Sequence, residues 1–288
     1  MAATERASFL RATGRVARRK LISSASGWVF LAASMLGVMV LVVLAWDTIA
    51  QGWARLSWDF LTSYPSRFAD RAGLRSSILG WVWVLGLTIV MVIPVGIGTA
   101  VWMEEFAPRN RLLEVVRLNV SNLAGVPSII YGILGLAVFV RFLDLGPSIL
   151  AGALTLALMI LPMTIIASQE AIRQVPPSIR DGSFAVGATQ WQTVWHHVLP
   201  GAAPGIITAI ILAVSRAAGE TAALIMIGAS TFIAFDNTSM FDSFTTVPIQ
   251  IYNWTVRPQQ AFRENAAAGI IVLMVAVLGF NLIAAIIR

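Results

Sequence analysis

The stretch QEAIRQVPPSIRDGSFAVGATQWQTVWHHVLPGAAPG, residues 169–205, stands between two runs apolar enough to sit in lipid, and its punctuation decides how the chain is organised. Pro176 and Pro177 can open a helix, because a proline's fixed φ suits the first turn, where the missing N–H costs nothing. Gly187 can close that helix by taking a left-handed backbone conformation. Thr189 followed by Gln192 has the spacing of a capping box, and Trp191, Val194, Trp195 and Val198 then recur on one helical face. The spacing predicts two short helices joined at Gly187, with Pro200 stopping the second before the next apolar run begins. Such a pair can lie on the bilayer surface. It can equally pack its Trp191 stripe on a membrane domain and present Ile179 to Ala188 to another subunit.

Outward from this segment the chain reads as a membrane protein. Its 288 residues are 58% hydrophobic and only 12% charged, far from soluble composition. Apolar runs of spanning length lie at residues 27–46, 77–102, 118–140, 146–168, 203–230 and 265–287, which predicts an all-α bundle of about six transmembrane helices. The first run follows a basic cluster (Arg6, Arg11, Arg15, Arg18, Arg19, Lys20) and no small-x-small cleavage site follows it, so it reads as a retained span rather than a signal peptide. The expected organisation is a cytoplasmic basic N-terminus at 1–26, a first helix at 27–50, an outer loop at 51–76 and a transmembrane domain at 77–288 that contains the cytoplasmic segment 169–200.

Placing the N-terminus inside puts Arg109, Arg111, Arg117, Arg173, Arg180 and Arg288 on the same side as the basic cluster, which agrees with the positive-inside bias and sets both termini in the cytoplasm. The net charge of +6 is spread among apolar runs apart from that cluster. It therefore suits topology and anionic membrane lipid rather than nucleic acid. Trp28, Trp46, Trp53, Trp102 and Trp254 fall near expected span ends and read as interfacial anchors. The outer segment 232–262 is too long for a simple turn and reads as a folded loop or a partner surface. Cysteine is absent, and His196 and His197, adjacent on a helix with no further His, do not make a metal site.

A second stretch, LAVSRAAGETAALIMIG at residues 212–228, places Arg216 and Glu220 inside an apolar run. Four residues apart on one helix, they would share a face, with Ala209, Ala213 and Ala223 leaving that face narrow for a neighbouring helix. A charge at mid-span costs roughly 2.5–3.5 kcal/mol on insertion scales, so both should face protein or water. One reading is an internal salt bridge that fixes packing. The other is a working path, in which Arg216, the sole basic residue deep in any expected span, offers a guanidinium fork to a passing anion while Glu220 holds or releases it.

The cytoplasmic segment resembles the signature of ABC-importer membrane subunits: Glu-Ala-Ala, three residues, Gly, nine residues, a hydrophobic residue, one residue, then Leu-Pro. Asp181, Gly182 and Ser183 occupy the triplet, Gly187 follows at the right distance with Ala188 beside it, His197 stands at the hydrophobic position, and Leu199 and Pro200 complete the pattern. Gly182 departs from the triplet and costs about 1 kcal/mol against Ala within a helix. The stretches from Asn119 to Gly132, GATQWQTV, SRAAGETAALIMIGAS and VPIQIYNWTVRPQQ narrow the resemblance to PstA-type permeases of phosphate-specific ABC transporters, over nearly everything after residue 75.

That resemblance implies a permease of the ABC-importer, MetI-like type, with Arg216, Glu220 and Thr221 on the translocation path. It implies inorganic phosphate as cargo, a PstC-type permease as the other half of the path, an extracytoplasmic phosphate-binding protein, and a dimer of ATP-binding subunits docked on the segment around Asp181 to Ala188. No Gly-rich loop ending in Gly-Lys-Ser/Thr, HExxH or nucleophile elbow occurs in the chain, so ATP and Mg belong to the partner ATPase and no cofactor is expected here. A secondary anion transporter would show an inverted repeat, which is not detected, and a membrane hydrolase would need a nucleophile and base within the spans. An importer of another oxyanion remains the alternative.

Overall fold

The computed structural model describes residues 14–229 and 232–287. Arg6, Arg11 and Arg288 lie outside the described residues, as do the side chains of Arg15 and Lys20. Contacts divide the chain into residues 1–51 and 52–288.

The described residues of the first unit lie in one long helix, α1 (Gly14–Gly52). Its apolar stretch is continuous, and the few polar groups near its end are satisfied within it: Thr48 Oγ1 donates to Leu44 O at 2.8 Å and Gln51 Nε2 to Asp47 Oδ2 at 2.6 Å. Internal satisfaction of this kind is what a lipid environment demands.

The second unit is helical throughout its regular elements: α2 (Trp58–Thr62), α3 (Arg75–Val101), α4 (Arg111–Ala124), α5 (Ser128–Gly135), α6 (Ile149–Arg173), α7 (Pro177–Ala185), α8 (Gln190–Thr193), α9 (Leu199–Ala218), α10 (Ala222–Met226), α11 (Val247–Thr255) and α12 (Gln260–Ile287). Its centre is α6 packed between α3 and α9. Val84, Val92, Leu156, Met159, Ile160, Ala213 and Ala217 bury their side chains in one core. Small residues at these contacts allow close backbone approach, the main source of helix association in lipid. Buried hydroxyls bond back into their own helices, as Thr155 Oγ1 does to Ala151 O at 2.7 Å and Thr164 Oγ1 to Ile160 O at 2.9 Å.

Among the described residues five helices are long and apolar enough to cross a membrane, with a sixth crossing if a bent pair counts as one. That pair corrects the expectation of a continuous span at 118–140. α4 and α5 (with its π-helical extension to Phe142) meet at a 101° bend. Pro127 supplies no N–H and pushes the preceding residue away from helical dihedrals, so the helix stops at Gly125. The expected span at 203–230 is also broken, because α9 ends at Ala218 and α10 starts only at Ala222. The two broken segments cross at Gly132, where a Cβ would meet Ala223 O at 2.7 Å and its Cα at 2.8 Å. Only a glycine permits that approach.

Pro200 does not stop the helix before α9. A π-helical turn at Val194–Val198 joins α8 to α9 without interruption, and its wider hydrogen-bond spacing accommodates the proline ring and its missing N–H. Trp254 is likewise not an interfacial anchor. It is fully buried, with its ring 5.7 Å from that of Phe60, in a second core that folds residues 56–74 onto α11 and the start of α12. Trp28, Trp46, Trp53 and Trp102 are exposed.

The segment 232–246 is folded. Arg75 holds Asp236 through Nε–Oδ1 at 2.9 Å, and Asp242 accepts from the backbone N–H groups of Ser239 at 2.9 Å and Thr238 at 2.8 Å. These bonds hold both carboxyls below the ordinary Asp value of 3.8. A depressed folded-state value means that their contribution is present above about pH 4 and is lost as pH falls through the folded values. A spin label at position 240 should therefore keep one mobility from pH 7 to about pH 4 and become freer below it. Asp242→Asn should remove most of that step and leave the label freer already at neutral pH.

Candidate functional site

The segment between α6 and α9 adopts the two-helix form its sequence punctuation predicts. Pro177 opens α7 with Pro176 as its cap residue, and Gly187 closes the turn at φ +86°, a conformation strained for any residue with a Cβ. Gly187 N–H bonds to Phe184 O at 2.9 Å and Ala188 N–H to Ser183 O at 3.2 Å, which satisfies the carbonyls at the end of α7. The Thr189–Gln192 capping box is present: Thr189 N–H donates to Gln192 Oε1 at 2.9 Å and Gln192 N–H to Thr189 Oγ1 at 3.3 Å.

The residues read as the signature divide by environment. Asp181, Gly182 and Gly187 are exposed, as are Phe184 and Val186, the latter at 85%. Leu199 is half-buried and Pro200 exposed at the start of α9. Ser183, by contrast, is buried, and its hydroxyl pairs with Thr193 Oγ1 at 2.8 Å, tying α7 to α8. It supports the presented surface rather than forming part of it. The Trp191 stripe divides too. Val194 and Val198 are buried, but Trp191 and Trp195 are exposed and stack on each other at 6.0 Å, with Phe106 against Trp191 at 6.1 Å.

Sequence reasoning passed over the carboxylates that anchor this segment. A π-helical turn at Trp102–Phe106, following the C-terminal end of α3, carries Glu104 and Glu105, each with a side chain only 10% exposed. Glu104 accepts from Arg173 Nη2 at 2.8 Å, Gln169 Nε2 at 2.9 Å and Arg117 Nη2 at 3.1 Å, so it binds α3 to α6 and α4. Glu105 accepts from Arg180 Nη2 at 2.6 Å and Nε at 3.2 Å. The same guanidinium donates through Nη1 to Val175 O at 2.7 Å and through Nη2 to Ile172 O at 3.1 Å, placing a cation at the carbonyl end of α6. Glu105 O also accepts from Gln190 Nε2 of α8. Burial makes these pairs costly to break from one side. The available signal was two adjacent carboxylates at the end of an apolar run, facing loops rich in Arg.

Arg216, Glu220 and Thr221 do not sit on one helical face. Glu220 and Thr221 lie in the break after α9, so the expectation that Arg216 and Glu220 share a face is corrected, and no ion pair joins them among the described residues. Glu220 Oε1 accepts instead from Ala223 N–H at 3.1 Å, capping the start of α10. Thr221 occupies the N-cap position of that helix, and its hydroxyl reaches Gly219 O at 3.4 Å. Arg216 is exposed, with Nη1 3.7 Å from Met163 Sδ. The break beside it is held by Trp81, whose Nε1–H donates to Ala218 O at 2.9 Å.

This architecture is that of the membrane subunit of an importer. Residues 92–288 match the family described as binding-protein-dependent transport system inner membrane component, and the chain belongs to that family of ABC-importer permeases. It is 32% identical over 272 residues to the probable ABC transporter permease protein YqgI of Bacillus subtilis, covering 90% of this chain and 92% of that one. It is 32% identical over 278 residues to the phosphate transport system permease protein PstA 1 of Mycobacterium tuberculosis strain H37Rv, covering 94% and 89%. A bacterial alginate ABC transporter, crystallised with an alginate pentasaccharide-bound periplasmic protein, shares the fold at a TM-score of 0.65 and 15% identity over 93% of each chain.

Ser183→Val should remove the one hydroxyl bond between α7 and α8, with Thr193 Oγ1 keeping its bond to Thr189 O at 3.0 Å, and loosen the two-helix segment by about 0.5–1.5 kcal/mol. Hydrogen exchange in residues 177–193 should rise accordingly, with exchange in α3 and α6 unchanged.

Proposed function

We propose that the chain is the PstA-type permease of an ATP-driven inorganic phosphate importer in a bacterial or archaeal cell membrane, with both termini cytoplasmic. It forms half of the translocation path, a PstC-type permease forms the other half, and an extracytoplasmic phosphate-binding protein delivers the cargo. The chain itself is non-catalytic, and a dimer of separate subunits binds ATP and Mg and hydrolyses the nucleotide. The surface of Asp181, Gly182, Phe184, Val186, Gly187 and Ala188 takes that dimer, supported from beneath by Ser183 and carried into the membrane through Leu199 and Pro200.

The observation that carries the substrate reading is the exposed guanidinium of Arg216, which makes no ion pair among the described residues, in an otherwise apolar helix. Sixteen residues of helix at about 1.5 Å each set it roughly 24 Å along the axis from Pro200, toward the far side of a hydrocarbon layer about 30 Å thick. A cation there that has no carboxylate partner among the described residues needs water or a passing anion, which favours the path over the clasp. A planar fork of N–H donors matches the oxygens of a tetrahedral oxyanion. Glu220 shapes the path by holding the start of α10, and Thr221 lies at the same break. The resemblance to phosphate permeases, together with the relative named for phosphate transport, favours phosphate over another oxyanion.

Arg216→Gln should lower phosphate uptake by assembled complexes of normal abundance about 10- to 100-fold, the equivalent of the roughly 1.5–3 kcal/mol of one hydrogen bond to a charged group. Unchanged uptake would remove Arg216 from the path. Uptake of sulfate but not phosphate by the unmodified complex would replace phosphate as the cargo. A bulky charged residue at Gly187 should abolish uptake while the permease still inserts. Normal ATPase assembly with wild-type uptake in that variant would contradict the docking reading.

A further inference from the structure

The segment 177–193 is continuous by chain with α6 on one side and with α9 on the other, so any displacement of it reaches those two helices directly. α3 has no such connection. It meets the segment through the turn at its C-terminal end, where Glu105 contacts both arms: its carboxylate takes Arg180 of α7 and its carbonyl takes Gln190 of α8. The Phe106 ring against Trp191 lies beside it at 6.1 Å. Exposure at Asp181, Gly182, Phe184 and Val186 leaves the far side of α7 without support from this chain.

We infer that Glu105 is a positioning residue that recruits α3 into the movement of the coupling segment, acting through Arg180. The inference rests on the reading of this segment as the ATPase docking element. Arg180 suits the task because one guanidinium bonds the last carbonyls of α6 and the carboxylate of Glu105 together, so α6, α7 and α3 share a rigid node. The neighbouring Glu104 extends the node to α4 through Arg117, and hence toward the bent pair whose second half crosses α10. Two adjacent carboxylates thereby divide the labour. Glu104 holds the membrane helices to one another, and Glu105 holds them to the element that moves.

The test uses the assembled transporter in lipid vesicles, with hydrogen exchange measured before and after addition of a non-hydrolysable ATP analogue. In the unmodified complex, residues 177–193 and residues 98–106 should both change protection. Glu105→Ala should keep the response in 177–193 and lose most of it in 98–106, and Glu105→Asp should restore it. In parallel, phosphate moved per ATP hydrolysed should fall about 5-fold or more in Glu105→Ala, the scale of an ordinary coupling free energy, and recover in Glu105→Asp. A purely structural contact would lower complex yield without changing that ratio. A response in 98–106 that persists in Glu105→Ala overturns the inference while leaving the docking reading intact. No response in 177–193 of the unmodified complex overturns the docking reading itself, and the inference with it.

Discussion

A helix that ends inside lipid must still satisfy its last carbonyls and the first N–H groups of whatever follows, and the rest of this structure depends on how that constraint is met at two places. At the end of α9 the Trp81 indole N–H takes Ala218 O, and Glu220 caps the N–H of Ala223. At the bend between α4 and α5, the Tyr131 hydroxyl donates to Leu123 O at 2.7 Å. Each partner is an amphipathic or charged side chain that the apolar pattern alone would assign to packing or to a salt bridge. With the carbonyls satisfied, irregular backbone becomes tolerable at membrane depth, which is where it can line a conduit. The two breaks are brought together by Gly132 against Ala223, and Arg216 lies two residues before one of them.

In the proposed reading the segment 177–193 meets a different constraint, that of passing force rather than solute. Beyond its packing on α6, α3 touches that segment directly through Glu105 and Phe106. The nearly buried carboxylates at the C-terminal end of α3 make these contacts, and removing a partner from one side would leave a charge stranded. The exposed face of α7 precedes, and the exposed guanidinium stands near the end of, one continuous helix that starts from the capping box at Thr189 and runs to Ala218.

Much of the fold was legible because lipid imposes a length and an apolar composition that a single sequence displays, and because Pro, Gly and the Thr189–Gln192 pair mark helix ends by local chemistry. Gly187 at positive φ and the capping box are local facts, and they are present as read. What was not legible depended on distant partners. A continuous apolar run at 118–140 gives no sign that Pro127 will turn the chain by 101°, because neighbouring helices and Tyr131 decide whether the break is affordable. Spacing of four residues suggested an Arg216–Glu220 pair, but the break at Gly219 overrides periodicity. Trp254 looked interfacial until residues 56–74 folded over it, and Glu104 and Glu105 gained their importance only when Arg117, Arg173 and Arg180 converged on them.

The central claim is that the guanidinium of Arg216 stands in an aqueous conduit and meets an oxyanion there. The chain contains no cysteine, so a single thiol can be placed at position 216 of the assembled transporter and its reaction with a charged, membrane-impermeant thiosulfonate reagent followed on this chain, with and without nucleotide. The account predicts modification in at least one nucleotide state, slowed when phosphate and its binding protein are present. A thiol at that position that stays unmodified in every nucleotide state, while one on the exposed face of α7 reacts fully, would contradict it.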